Sequence, residues 1–198
     1  ATYDPKPHFS PNTMSMTRST LALALSMVIA IATPQVTLAQ PPSAAALVAK
    51  RTAMRPLAYM IGQWDGGGWI QRGANRYEFR GGERVQSKLD SLALLVEGRF
   101  TIAGPDGREI PVHETLGVIT HEGQASGFRF GYWLASGSSG NPPLEVRDDG
   151  WTGVLEAPDG RVRYAATFRE GTWHETGEFI PANGGAARRF FEMTLRRR

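Results

Sequence analysis

From Tyr77 to Leu195 the chain alternates apolar and polar side chains with a period of two, and short turns break the pattern about every ten residues. A period of two sends successive side chains to opposite faces of an extended strand, so the pattern predicts strands with one buried face. In NRYEFRGGERVQSKL, Tyr77, Phe79, Gly81, Glu83, Val85, Ser87 and Leu89 oppose Glu78, Arg80, Arg84, Gln86 and Lys88. Leu92, Leu94, Val96, Gly98, Phe100 and Ile102 form the next apolar face, then Ile110, Val112, Leu116 and Val118, then Phe128, Phe130, Tyr132 and Leu134. Further strands are predicted from Leu144 to Asp148, Trp151 to Ala157, Val162 to Phe168, Trp173 to Ile180 and Phe191 to Leu195.

The connections are too short for crossover helices. Turn sequences stand at Gly104 to Gly107, Asp149-Gly150, Pro158 to Gly160, Glu170-Gly171 and Asn183 to Gly185, with a longer loop from Ser136 to Pro143. Strands joined this way run antiparallel. An open sheet of about ten strands would leave two unpaired edges, and closing it on itself removes them. The expected fold is therefore all-β: an antiparallel up-and-down barrel of about ten strands, in one domain over residues 57–198, with a short N-terminal helix. The 23 glycines and 13 prolines, spread along 198 residues, suit so many turns.

GQWDGGGWI, Gly62 to Ile70, opens the first strand. Trp64 stands at its start, where a helix arriving from Met60 would cover one barrel end, and the indole can plug that end. Gly66, Gly67 and Gly68 let the strand coil sharply and let neighbours approach its backbone. Trp69 has the opposite parity from Trp64, so the two cannot serve one surface.

Residues 1–39 read as a leader and signal peptide. Arg18 precedes the apolar run LALALSMVIAIA, and Thr37-Leu38-Ala39 supplies small residues for cleavage. A run of about a dozen apolar residues suits a signal-peptide core better than a membrane span. Residues 40–56 read as a linker and the start of the helix, in which Pro56 interrupts. The expected location is periplasmic or secreted, with no stable membrane anchor after cleavage.

Cleavage after Ala39 would remove Lys6, Arg18 and Asp4 from 22 basic and 19 acidic residues, leaving a net charge of +2. So small an excess, without a basic stripe, disfavours nucleic-acid partners. The absence of cysteine excludes disulfides, thiolate catalysis and lipid anchoring through a cysteine thiol.

Polar residues on apolar parities mark the candidate site. Glu83 and Ser87 share a face with Phe79 and Val85, Glu114 shares one with Val112 and Leu116, and Glu175 shares one with Trp173 and Phe179. Tyr132 and Tyr164 also lie on apolar faces, Tyr132 beside Phe130. A carboxylate inside a barrel is costly unless something pairs with it. One reading is a ligand cavity lined by Glu83, Glu114, Phe130, Tyr132, Tyr164, Trp173 and Glu175, taking a small hydrophobic or amphipathic molecule. A second is an enzyme using Glu83, Glu114 or Glu175 for acid–base chemistry. A third is a structural or interaction barrel with a filled core, its glutamates buried in a network or turned to solvent by a bulge.

Other chemistry has less support. Of His8, His113, His121 and His174, the first falls in the leader, His113 and His174 have outward parity, and His121 stands at a strand end. No paired-histidine motif points to a metal, and no cofactor is expected. The serines at 136, 138 and 139 lack a nucleophile elbow.

The segments IGQWDGGGWI (61–70), ERVQSKLDSLALLVEGRF (83–100), TWHETGEF (172–179) and FFEMTLRR (190–197) resemble calycin-like barrels, which include lipocalins, fatty-acid-binding proteins and haem-binding nitrobindins. More closely, the chain is similar to a bacterial family of exported barrels classed as a domain of unknown function. The resemblance covers about residues 57–197. It implies a barrel fold but no transferable activity. The nitrobindin branch implies haem held by a histidine late in the barrel, where this chain offers only His174.

Overall fold

The computed structural model describes residues 41–123 and 127–198, and the predicted leader and signal peptide lies outside the described residues. An α-helix, α1, spans Ala44–Met54 and a 3₁₀ helix follows over Arg55–Met60. The strands are β1 (Gly62–Arg72), β2 (Asn75–Lys88), β3 (Ala93–Ala103), β4 (Glu109–His121), β5 (Phe128–Leu134), β6 (Ser139–Gly140), β7 (Pro143–Arg147), β8 (Gly150–Ala157), β9 (Gly160–Arg169), β10 (Thr172–Pro181) and β11 (Arg188–Arg197).

Every pairing is antiparallel, and the order is β4-β3-β2-β1-β11-β10-β9-β8-β7-β5. The β4–β5 ladder, Thr115 opposite Leu134 through His121 opposite Phe128, returns the sheet to its start. Ten strands thus close a barrel. The two-residue β6 supplements β7 along β5, the break between them falling at Asn141 and Pro142 within the expected loop.

The helical segment enters as Pro56 predicts. Ser43 caps α1 by accepting a hydrogen bond from the Ala46 amide, and Pro56 falls in the first turn of the 3₁₀ helix, where its missing N–H costs nothing. That helix closes one barrel end with Leu57 and Met60, both fully buried. The Trp64 indole donates to the Met60 carbonyl at 2.8 Å and packs edge-on against Phe168 and Trp173 at 5.5 and 5.8 Å. Tyr59 donates to the Gly150 carbonyl at 2.8 Å, and the Arg197 guanidinium donates to the carbonyls of Tyr59 and Ile61, both at 2.6 Å, while lying 4.3 Å from the Trp64 ring centroid. Trp69 faces outward under Arg76, as its parity requires.

The glycine triplet has a steric cause. A Cβ on Gly66 or Gly68 would collide with the carbonyl oxygen of Thr194 or Glu192 on β11, and one on Gly67 with that of Phe79 on β2.

Two sequence expectations fail at strand ends. Ser87 and Leu89 do not face inward: Ser87 is exposed, and Leu89, 74% exposed, begins a turn in which Leu89, Asp90 and Ser91 have φ of 53°, 55° and 64°. Arg51 of α1 ties down this turn through the Asp90 carboxylate at 2.6 Å. The second failure is a bulge in β4. Phe100 pairs with His113 but Thr101 pairs with Pro111, so Val112 is the extra residue and the parity changes there.

Candidate functional site

Above the helical plug the barrel encloses a cavity of about 240 Å³. Met60 and Trp173 line it near the plug, and Phe79, Val96, Phe100, Ile119, Phe130, Trp151, Phe191 and Met193 supply much of its apolar wall. Six of the seven residues expected at the site line this one space: Glu83, Phe130, Tyr132, Tyr164, Trp173 and Glu175.

The seventh, Glu114, does not. The β4 bulge reverses the parity that Val112 suggested, so Thr115, Gly117 and Ile119 point inward while Glu114 and Leu116 point outward. Glu114 lies in an open depression of about 570 Å³ on the outer wall, with Arg84, Glu97, Arg99 and Trp133. Glu83 and Thr115 border both spaces. The same bulge corrects His113, whose expected outward position is replaced by one on the cavity wall. Its Nε2 meets the Thr115 hydroxyl, and its pKa is lowered by burial and then by the nearby Arg72. Arg72, also missed by sequence reasoning, lines the cavity and reaches the Val112 carbonyl at 3.4 Å. Pro111 was the available signal, because a proline inside a strand marks a bulge or an edge.

The carboxyls come from strands far apart in the chain. Glu83 stands in a cross-strand row of Trp64, Glu83, Gly98, Thr115 and Leu134. Glu175 stands between Met193 and Ala166, with Trp151 one strand further on. Both side chains line the cavity and are half-buried, and desolvation there pushes each pKa up to about 8. The Glu175 charge adds to the rise at Glu83, whereas the Trp173 indole, donating to Glu175 at 3.1 Å, partly opposes the rise at Glu175. Near neutral pH the pair is largely protonated and loses its protons in linked steps. Tyr164 is raised to about 12 by burial, Glu175 and Tyr132, which places both hydroxyls in the same electrostatic neighbourhood.

Two polar atoms on the cavity wall have no partner among the described residues: the Glu83 Oε2 and the Trp151 Nε1. A buried group left unpaired costs about 1–3 kcal/mol. The site therefore offers one acceptor and one donor in an apolar enclosure, an arrangement suited to orienting a small molecule.

His174 and Glu178 lie outside, as expected. His174 meets Glu192 at 3.0 Å, and Glu178 binds Arg163 at 2.5 Å and Arg189 at 3.5 Å, which hold its carboxyl below its usual pKa. His121 stands at the end of β4 against Phe128. His174, the late histidine that the nitrobindin resemblance singles out, points away from the lumen toward Glu192 and is not placed to hold haem there. Among the described residues no three histidine or carboxylate side chains converge in a way that could hold a metal ion.

No protein-family model and no curated protein matches the chain. Among solved structures, it is similar to the crystal structure of Rv2717c from M. tuberculosis, with a TM-score of 0.56 and 14% identity over 74% of this chain and 97% of that one. At that identity the likeness is one of fold, and it shows the antiparallel barrel.

Proposed function

We propose that this protein is an exported, calycin-like barrel that holds one small, largely apolar molecule in its lumen. The observation that carries the reading is the Glu83 carboxyl, enclosed in an apolar cavity with one oxygen unpaired. Burying an ionisable group without a partner is unfavourable, so a binding role gives this residue a reason that core packing does not. The volume of about 240 Å³ lies below the range of drug-sized sites and sets a limit on the ligand.

The test is a graded series of benzene, naphthalene and anthracene, followed by tryptophan fluorescence, since Trp151 and Trp173 line the cavity. Saturable binding of at least one of the three is expected. No saturable binding by any of them would overturn the reading. Export is tested separately by sequencing the N-terminus of protein from a periplasmic or culture fraction, where the chain is expected to begin near Gln40.

The carboxyl pair supports a second reading, acid–base catalysis, because both pKa values lie near neutrality. It requires a bound molecule to be chemically changed. Mass spectrometry of ligand recovered from the wild type and from Glu175→Gln tests this, and identical unmodified ligand from both would exclude it.

A further inference from the structure

The lumen has two chemically different poles. Near the plug, Glu83 and Glu175 present carboxyl oxygens, of which the described side chains satisfy only the Glu175 Oε2, through Trp173. Toward the opposite end, Arg72 is engaged by the Val112 carbonyl and His113 by Thr115. The ionisable groups on the described cavity wall are Arg72, Glu83, His113, Tyr132, Tyr164 and Glu175. Arg72 acts electrostatically on His113, whereas no cation is among the influences on either glutamate. The carboxyl pole thus lacks a positive partner.

We propose that this pole recognises a protonated primary amine carried on a compact apolar body, a specificity that rests on the lumen being the binding site. An ammonium group has three donors and no acceptor, which complements an unpaired carboxylate oxygen. In so enclosed a site a charge-assisted hydrogen bond is about twice as strong as a neutral one. Aromatic walls add attraction, since Phe79, Phe130 and Trp173 line the same cavity and a cation is drawn to ring faces. Once both carboxyls ionise, at and above about pH 8, a fatty acid would place a third carboxylate beside two, and like charges in one site repel.

Proton balance gives the inference a distinct signature. The incoming amine keeps its proton, and Glu83 releases its own to solvent as the ion pair forms. Amine affinity therefore rises as pH increases toward the carboxyl pKa of about 8. The His113 pKa is lowered by burial and by Arg72, and that of Tyr164 is raised, so neither shift moves the group toward the carboxyl pKa.

Calorimetric titration of the full-length protein with hexylamine, hexanol and hexanoate separates head-group chemistry from filling of the lumen. Hexylamine is expected to bind at least roughly tenfold more tightly than the other two at about pH 8, to gain roughly tenfold between about pH 6 and pH 8, and to release a proton on binding near pH 7. Glu83→Gln is expected to remove the amine preference and the pH dependence. Hexanol or hexanoate binding as tightly as the amine, or an amine affinity that is flat or falling with pH, would overturn the proposal while leaving the lumen as a binding site. Failure of all three, together with failure to displace naphthalene, would overturn both. Since the wild-type series alone decides the matter, a misfolded Gln variant would not obscure the answer.

Discussion

The Glu83 carboxyl occupies the space that a side chain on Gly98 would fill: a Cβ there would lie 2.6 Å from Oε2 and 2.7 Å from the carboxyl carbon. The two residues face each other across the β2–β3 ladder. Gly98 thus sets the rotamer in which Glu83 can point along the lumen, so the absence of one side chain positions another.

Gly98→Ala is expected to destabilise the protein by about 1–3 kcal/mol, the usual cost of overpacking. In a Glu83→Ala background the same change should cost at least about 1 kcal/mol less, because contacting residues are energetically coupled. Urea unfolding of the four variants measures this. Equal costs in both backgrounds would show that the pair does not interact.

Stability should fall as pH rises. The folded pKa of Glu83 and Glu175 is about 8 against 4.5 unfolded, so above 4.5 the folded state binds more protons and stability declines until both carboxyls ionise. Between about pH 7 and pH 9 His113 is already neutral, and the slope belongs to the two glutamates. The wild type is expected to lose on the order of a few kcal/mol there, Glu83→Gln and Glu175→Gln less, and the double variant almost nothing. A wild-type unfolding midpoint that stays flat over this window would contradict the assignment.

Glu175 and Glu178 share one strand but face opposite sides of the wall. Glu175→Gln is expected to change retention of a lumen-bound probe such as naphthalene by roughly fivefold or more, since it alters a cavity-lining head group. Glu178→Gln removes an outer carboxylate paired with Arg163 and Arg189, and should leave probe affinity unchanged and stability within about 1 kcal/mol. Equal effects on binding from both substitutions would place the site elsewhere.

The plug should be a major source of stability. Leu57→Ala empties a fully buried position and is expected to cost about 2–5 kcal/mol. Trp64→Phe strands the Met60 carbonyl and should cost about 1–3 kcal/mol. Denaturant midpoints test both, and a neutral Trp64→Phe would mean that the indole hydrogen bond contributes little.

The division between what was legible in the sequence and what was not follows the range of the interactions. Alternation is local: each residue's face follows from its neighbour's, so Phe79, Glu83 and Val85, or Trp173 and Glu175, could be assigned to one side from the sequence. Turn chemistry is local too, and with short connections it implies an antiparallel meander. The need to remove sheet edges then implies closure.

A bulge breaks this chain of inference without changing composition. Beyond Val112 every parity inverts, which sent Glu114 outward and brought His113 to the lumen. Pro111 signalled an irregularity, but where the extra residue falls depends on how β4 pairs with β3. The meeting of Glu83 from β2 with Glu175 from β10 was equally beyond local reading, because it depends on closure of the whole barrel through β4 and β5. Sequence alone determined the strands, their alternation and the residues that would be costly to bury. Tertiary structure decided which of those residues share an enclosure, because register and closure are set by backbone pairing between segments distant along the chain.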